Sequence, residues 1–73
     1  MAVGQIQGRN GQYPVEVING AVYYRDSSGR TVSTGFTPSS VTNGRFVGPD
    51  GSSHSLQTML EDIQRRYNRG QYT

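Results

Sequence analysis

The sequence predicts a small α+β fold: an antiparallel β-meander curling towards a partly closed barrel, followed by one C-terminal amphipathic helix. Three observations carry this expectation. Asn19-Gly20 separates two runs of alternating residues, and Asn-Gly is the strongest short signal for a two-residue hairpin because both residues tolerate positive φ. Asp26-Ser-Ser-Gly-Arg30 supplies a second turn directly after the second run, with Gly29 suited to the left-handed position of a three-residue loop. Leu56, Met59, Leu60, Ile63 and Tyr67 then recur at the i, i+3, i+4, i+7 spacing of one helix face.

Taken in order, residues 1–11 hold three glycines and little apolar material. Val3 and Ile6 stand an odd number of residues apart, so on a regular strand they face opposite sides. The segment is expected to be an extended N-terminal arm ordered against a neighbouring subunit. Its deletion should then abolish assembly and leave the fold largely intact. Residues 12–73 form the single domain.

The Asn19-Gly20 turn sets the register of the first hairpin. Ile18 faces Ala21, Val17 faces Val22, Glu16 faces Tyr23 and Val15 faces Tyr24. Val15, Val17, Val22 and Tyr24 therefore share one side, while Glu16, Ile18, Tyr23 and Arg25 share the other. A one-residue slip would scramble this separation. Pairing Asp26 with Arg30 places Tyr24 opposite Val32 and Val22 opposite Thr34, and Phe36 extends the same buried face. Pro38 interrupts the ladder and Ser39-Ser40 reads as a corner. Asn43-Gly44 offers a further hairpin with Val41 opposite Phe46, and Gly48-Pro-Asp-Gly51 is a tight turn. The expected strands cover 12–18, 21–26, 30–37, 40–42 and 45–47, and the expected helix covers 55–68. Ser53 or Ser55 caps the helix and Gly70 ends it. Glu61–Arg65 and Asp62–Arg66 stand at the favourable i,i+4 spacing, and Arg69 lies near the negative end of the helix dipole.

Composition narrows the function. At 73 residues the chain is one domain near the lower size limit for a self-sufficient core. Leu, Ile, Val and Phe together number 14 of the 73 residues, so the core is thin and association is the leading physical inference. The absence of Cys excludes disulfides and thiolate metal sites, and a single His argues against zinc, so neither metal nor cofactor is expected. The opening Met-Ala-Val-Gly-Gln-Ile lacks the basic and apolar regions of a signal peptide, and no apolar run is long enough for a membrane helix. All seven basic residues are Arg, yet the formal charge of +2 is too small to imply nucleic acid by itself.

No motif points to catalysis. Asp50, Ser52, Ser53, His54 and Ser55 crowd one turn and helix start, without a nucleophile elbow. Gly4, Gly8 and Gly11 have neither dinucleotide nor phosphate-loop spacing. The chain is therefore read as a non-enzyme. Its expected function is that of a structural subunit of a large assembly, first of all a virus or phage particle, as a capsid decoration (cement) or minor head or tail protein. Its partners would be copies of itself, a major assembly subunit, or both. Its location would be the virion, or the cytoplasm if it is not viral. The expected interface comprises Val3, Ile6, Ile18 and Tyr23 with the helix-end arginines Arg65, Arg66 and Arg69. The first alternative is a nucleic-acid-binding module using Arg65, Arg66, Arg69 and Tyr72 through phosphate contacts and stacking. The second is a small inhibitor or a ligand-binding protein.

Ile18-Asn-Gly-Ala-Val-Tyr-Tyr-Arg-Asp-Ser-Ser-Gly29, followed by Thr34-Gly35-Phe36, resembles the hairpin repeats of choline- and glucan-binding cell-wall modules. The resemblance implies a shared turn chemistry and adds carbohydrate to the possible ligands. In that family aromatic residues, Trp prominent among them, build sites between tandem hairpins. This chain has no Trp, and the helix has no place in that architecture.

Overall fold

A computed structural model describes residues 2–72; Met1 and Thr73, the outer ends of the predicted arm and domain, lie outside them. Among the described residues, strands β1 (Ala2–Gly8), β2 (Gly11–Ile18), β3 (Ala21–Arg25), β4 (Thr31–Ser33), β5 (Thr37–Pro38), β6 (Arg45–Val47) and β7 (Ser53–Ser55) precede helix α1 (Leu56–Asn68). They form a four-stranded sheet ordered β1-β2-β3-β4 and a three-stranded sheet ordered β5-β6-β7, antiparallel throughout. The α+β class stands. The two sheets do not close into a barrel.

The first hairpin has the expected register at all four pairs, from Ile18–Ala21 to Val15–Tyr24. Asn19 at φ 51° and Gly20 at φ 77° supply the two positive angles of the turn. Tyr24 lies opposite Val32, and Gly29 adopts φ 88° in the loop between β3 and β4. Asp26 N–H donates to the Arg30 carbonyl at 2.9 Å and closes that loop. The β2–β3 ladder stops short of Pro14, whose ring nitrogen has no proton to give to a neighbour.

Two expected elements take another form. The predicted strand 30–37 is cut at Gly35, which adopts φ 85°. Val22 spans the cut: its N–H donates to the Phe36 carbonyl at 3.0 Å and its carbonyl accepts from Thr34 N–H at 3.1 Å. The chain steps out of the first sheet there and enters the second as β5. The predicted strand 40–42 does not form. Ser39 Oγ accepts from the N–H groups of Val41 and Thr42 at 3.2 and 3.1 Å, drawing the backbone into a turn instead. Phe46 consequently pairs with Pro38 rather than Val41, and Val41 is 91% exposed. Pro38 is tolerated because β5 is an edge strand.

The predicted arm is also corrected. Residues 2–8 are extended, but they pair with the chain's own β2, with Ile6 opposite Tyr13. A β-bulge between Ala2 and Gly4 resets the alternation, so Val3 packs against the same core that buries Ile6. The odd spacing of these residues, which argued against a strand, is absorbed by that extra residue.

The core lies between one face of the first sheet and α1, and comprises Ile6, Tyr13, Val15, Val22, Tyr24, Phe36, Met59 and Ile63. Tyr13 and Tyr24 stack at 6.0 Å, and Tyr67 meets both rings edge-on at 5.8 Å. A Cβ on Gly8 would lie within 2.4 Å of the Tyr13 ring, so the β1 backbone reaches this cluster only because residue 8 has no side chain. Ser55 caps α1, accepting from Thr58 N–H at 3.3 Å. Gln71 N–H to the Arg66 carbonyl and Gly70 N–H to the Tyr67 carbonyl, both at 3.0 Å, end it in a Schellman turn. Leu56, the first residue of the predicted apolar stripe, remains exposed. Gln64 clamps β1: its Oε1 accepts from Gln7 N–H at 2.6 Å and its Nε2 donates to the Gln7 carbonyl at 2.9 Å.

Three outcomes are expected. Gly8→Ala should destabilise the fold by about 1–3 kcal/mol through overpacking against Tyr13, and deletion of residues 2–8 should unfold it, both read by urea denaturation; a deletion variant with wild-type circular dichroism would refute the assignment of β1 to the fold. Burial pushes the Tyr72 hydroxyl up to about 12 from the ordinary 10.0. The unfolded chain loses this proton first, so stability should fall as pH rises between those two values. Tyr72→Phe should flatten that decline in an alkaline series of unfolding curves.

Candidate functional site

Strand alternation sends Pro14, Glu16, Ile18, Ala21, Tyr23 and Arg25 to the face of the first sheet opposite the core. The helix and the buried aromatic cluster occupy the other face, and neither Ile18 nor Tyr23 is among the residues packed on that core, so among the described residues this face has no covering layer. Ile18, Ala21 and Tyr23 are half-buried, and the Glu16–Tyr23 and Ile18–Ala21 pairs set them side by side. Arg25 Nη2 reaches Glu16 Oε1 at 3.2 Å and closes one border of the apolar strip. With Arg25 exposed and Glu16 half-buried, this ion pair orders the border more than it stabilises the fold.

The predicted interface residues divide. Ile18 and Tyr23 come together on this uncovered face. Ile6 is core, 2% exposed, and Val3, half-buried, packs against that core rather than joining Ile18 and Tyr23. The arginines stand apart at the end of α1. Asp62 takes two of them, Arg65 Nη2 at 3.0 Å and Arg66 Nε at 2.9 Å. The expected Glu61–Arg65 pair gives way to this shared carboxylate. The hydrogen bond to Asp62, outweighing burial, which acts the other way, holds the Arg66 guanidinium above its ordinary value. Arg69 caps the helix through its backbone N–H, which donates to the Arg65 carbonyl at 3.1 Å.

Tyr72, the stacking residue of the nucleic-acid alternative, turns inward. Its hydroxyl donates to the Thr34 carbonyl at 3.2 Å and its ring meets Tyr24 at 5.6 Å. The basic and aromatic members of that predicted set are therefore not presented together.

The Asp50, Ser52 and His54 side chains do form a hydrogen-bonded line, which their closeness in sequence argued against. Ser52 Oγ donates to Asp50 Oδ1 at 2.6 Å, and His54 Nε2 lies 2.7 Å from the same Oγ. With its only proton given to Asp50, the serine accepts from the imidazole N–H. A nucleophilic serine needs the reverse, an imidazole that removes its proton. The Asp50 carboxyl is held below the usual carboxylate range, first by the Ser52 hydroxyl. His54 also packs its ring edge-on to Phe36 at 5.2 Å. The line ties the β6–β7 turn to the core.

Among the described residues no three His, Cys, Asp or Glu stand close enough to hold a metal ion, and no helix is long and apolar enough to cross a membrane. Sequence reasoning missed the Gln64 clamp and the Asn10–Ser27 side-chain bond, which join residues 57 and 17 positions apart without a local pattern. Compared with protein-family models, with characterised proteins and with solved structures, the chain finds no match.

Proposed function

We propose that this chain is a non-enzymatic structural subunit of a larger assembly, meeting its neighbours through the uncovered face of the β1–β4 sheet. The observation that supports this reading is the Ile18–Ala21–Tyr23 strip on a sheet face that the chain itself leaves bare. Completing the burial of such side chains contributes up to about 1.5–3 kcal/mol each. A fold with so thin a core gains from that contact more than a larger domain would. Copies of the chain itself are the first partners, with a larger major subunit beside them in a mixed shell. A virus or phage particle suits this role, since such shells are built from repeated small subunits. Nucleic acid is the second reading and rests on Arg65, the more exposed of the two arginines that Asp62 pairs with, its side chain 59% exposed against 26% for Arg66.

Sedimentation of the purified chain over a concentration series tests the proposal. The wild type should self-associate, and Tyr23→Glu should remain monomeric with unchanged circular dichroism. A wild type that stays monomeric at every concentration would refute self-association. Salt-sensitive retention on DNA or RNA, lost in Arg65→Ala, would move the assignment to the second reading.

A further inference from the structure

A cleft of about 280 Å³ opens at one end of the first sheet, away from the bare face, between the β1–β2 turn and the β3–β4 turn. Tyr13, Tyr24 and Tyr67 line it, and Asn10 Nδ2 bridges the turns by donating to Ser27 Oγ at 3.3 Å. Its hydrogen-bonding groups are unbalanced. Asp26 is the one carboxylate of the lining, and its own turn consumes it. Oδ1 accepts from Ser28 N–H at 3.0 Å, Ser28 Oγ at 2.7 Å and Arg30 N–H at 2.9 Å, while Oδ2 accepts from Arg30 Nε at 3.2 Å. The Ser28 hydroxyl foremost among these holds the Asp26 carboxyl below its ordinary range, so it stays ionised and engaged.

The tyrosine oxygens are similarly committed as acceptors. Tyr67 Oη accepts from Arg9 N–H at 2.8 Å and Tyr13 Oη from Asn10 N–H at 3.2 Å. What remains unspent is donor capacity. Arg9 has no carboxylate partner among the described residues, and the Arg30 side chain, 66% exposed, keeps its terminal nitrogens free of Asp26. Two guanidiniums against one carboxylate leave the lining net positive. Arg9 and Tyr67 also border an adjoining hollow with Gln7 and Asn68, which has room for an organic substituent.

We propose that this cleft binds a phosphate group, free or as a monoester, held by the guanidiniums of Arg9 and Arg30 against the tyrosine-lined floor. Planar guanidinium forks match phosphate oxygens in geometry and charge, and an aromatic floor restricts competing water. The site is separate from the assembly surface and does not depend on it.

Titration with inorganic phosphate and with phenyl phosphate, at constant ionic strength and followed by amide NMR shifts, tests the site. Saturable shifts at Arg9, Asn10, Ser27 and Ser28 are expected. Arg9→Gln should weaken binding about tenfold, with amide dispersion elsewhere unchanged because this exposed side chain makes no hydrogen bond or ion pair among the described residues. Tighter binding of phenyl phosphate would assign an ester as the ligand; equal binding would assign the free ion. Absent or non-saturating shifts, or affinity unchanged in Arg9→Gln, would overturn the proposal.

Discussion

Everything in this fold follows from a strict two-sidedness imposed on three consecutive strands. Short turns at Arg9-Asn10 and Asn19-Gly20 lock β1, β2 and β3 in register, and pleating sends Ile6, Tyr13, Val15, Val22 and Tyr24 to one side. Only that side can receive the helix, whose Met59 and Ile63 are completely buried there. The opposite side inherits whatever the pattern leaves, and it leaves an apolar strip edged by an ion pair. Core and candidate surface are two products of one alternation.

Local chemistry made much of this legible. Asn19-Gly20, Asp26-Ser-Ser-Gly29 and the helical stripe each act over a few residues, and each produced the turn, loop or helix expected of it. The departures come where a distant group outbid the local pattern. Nothing near Val3 announces a bulge, which exists because β2 offers a partner edge and the core accepts the side chain. Gly35 looked like one glycine in a strand, yet Val22 receives both of its flanking residues and turns the chain into another sheet. At Ser39 a hydroxyl captured two amides that a strand would have used.

The candidate surfaces were legible only in part, for the same reason. Ile18 and Tyr23 share a face by simple parity, so the sequence suffices to unite them. Arg65 and Arg66 were visible as cations, but that one carboxylate, Asp62, would serve both depends on rotamers. Tyr72 appeared at a chain end as a free aromatic, whereas the Schellman turn folds the chain back and delivers it to Thr34. The cleft between Arg9 and Arg30 arises from two turns that are neighbours only once the sheet has formed.

The Gln64 clamp has a consequence for how such a molecule can grow. Its side-chain amide stands in for an adjoining strand at Gln7, offering both a donor and an acceptor to the rim of β1. An incoming extended segment would have to displace that amide before it could zip onto the rim. Propagation by endless lateral stitching, the route to fibres, is thereby obstructed at that border, while stacking through the flat of the sheet remains open. The assembly proposed above would need that bias: broad contacts that finish, rather than borders that never close.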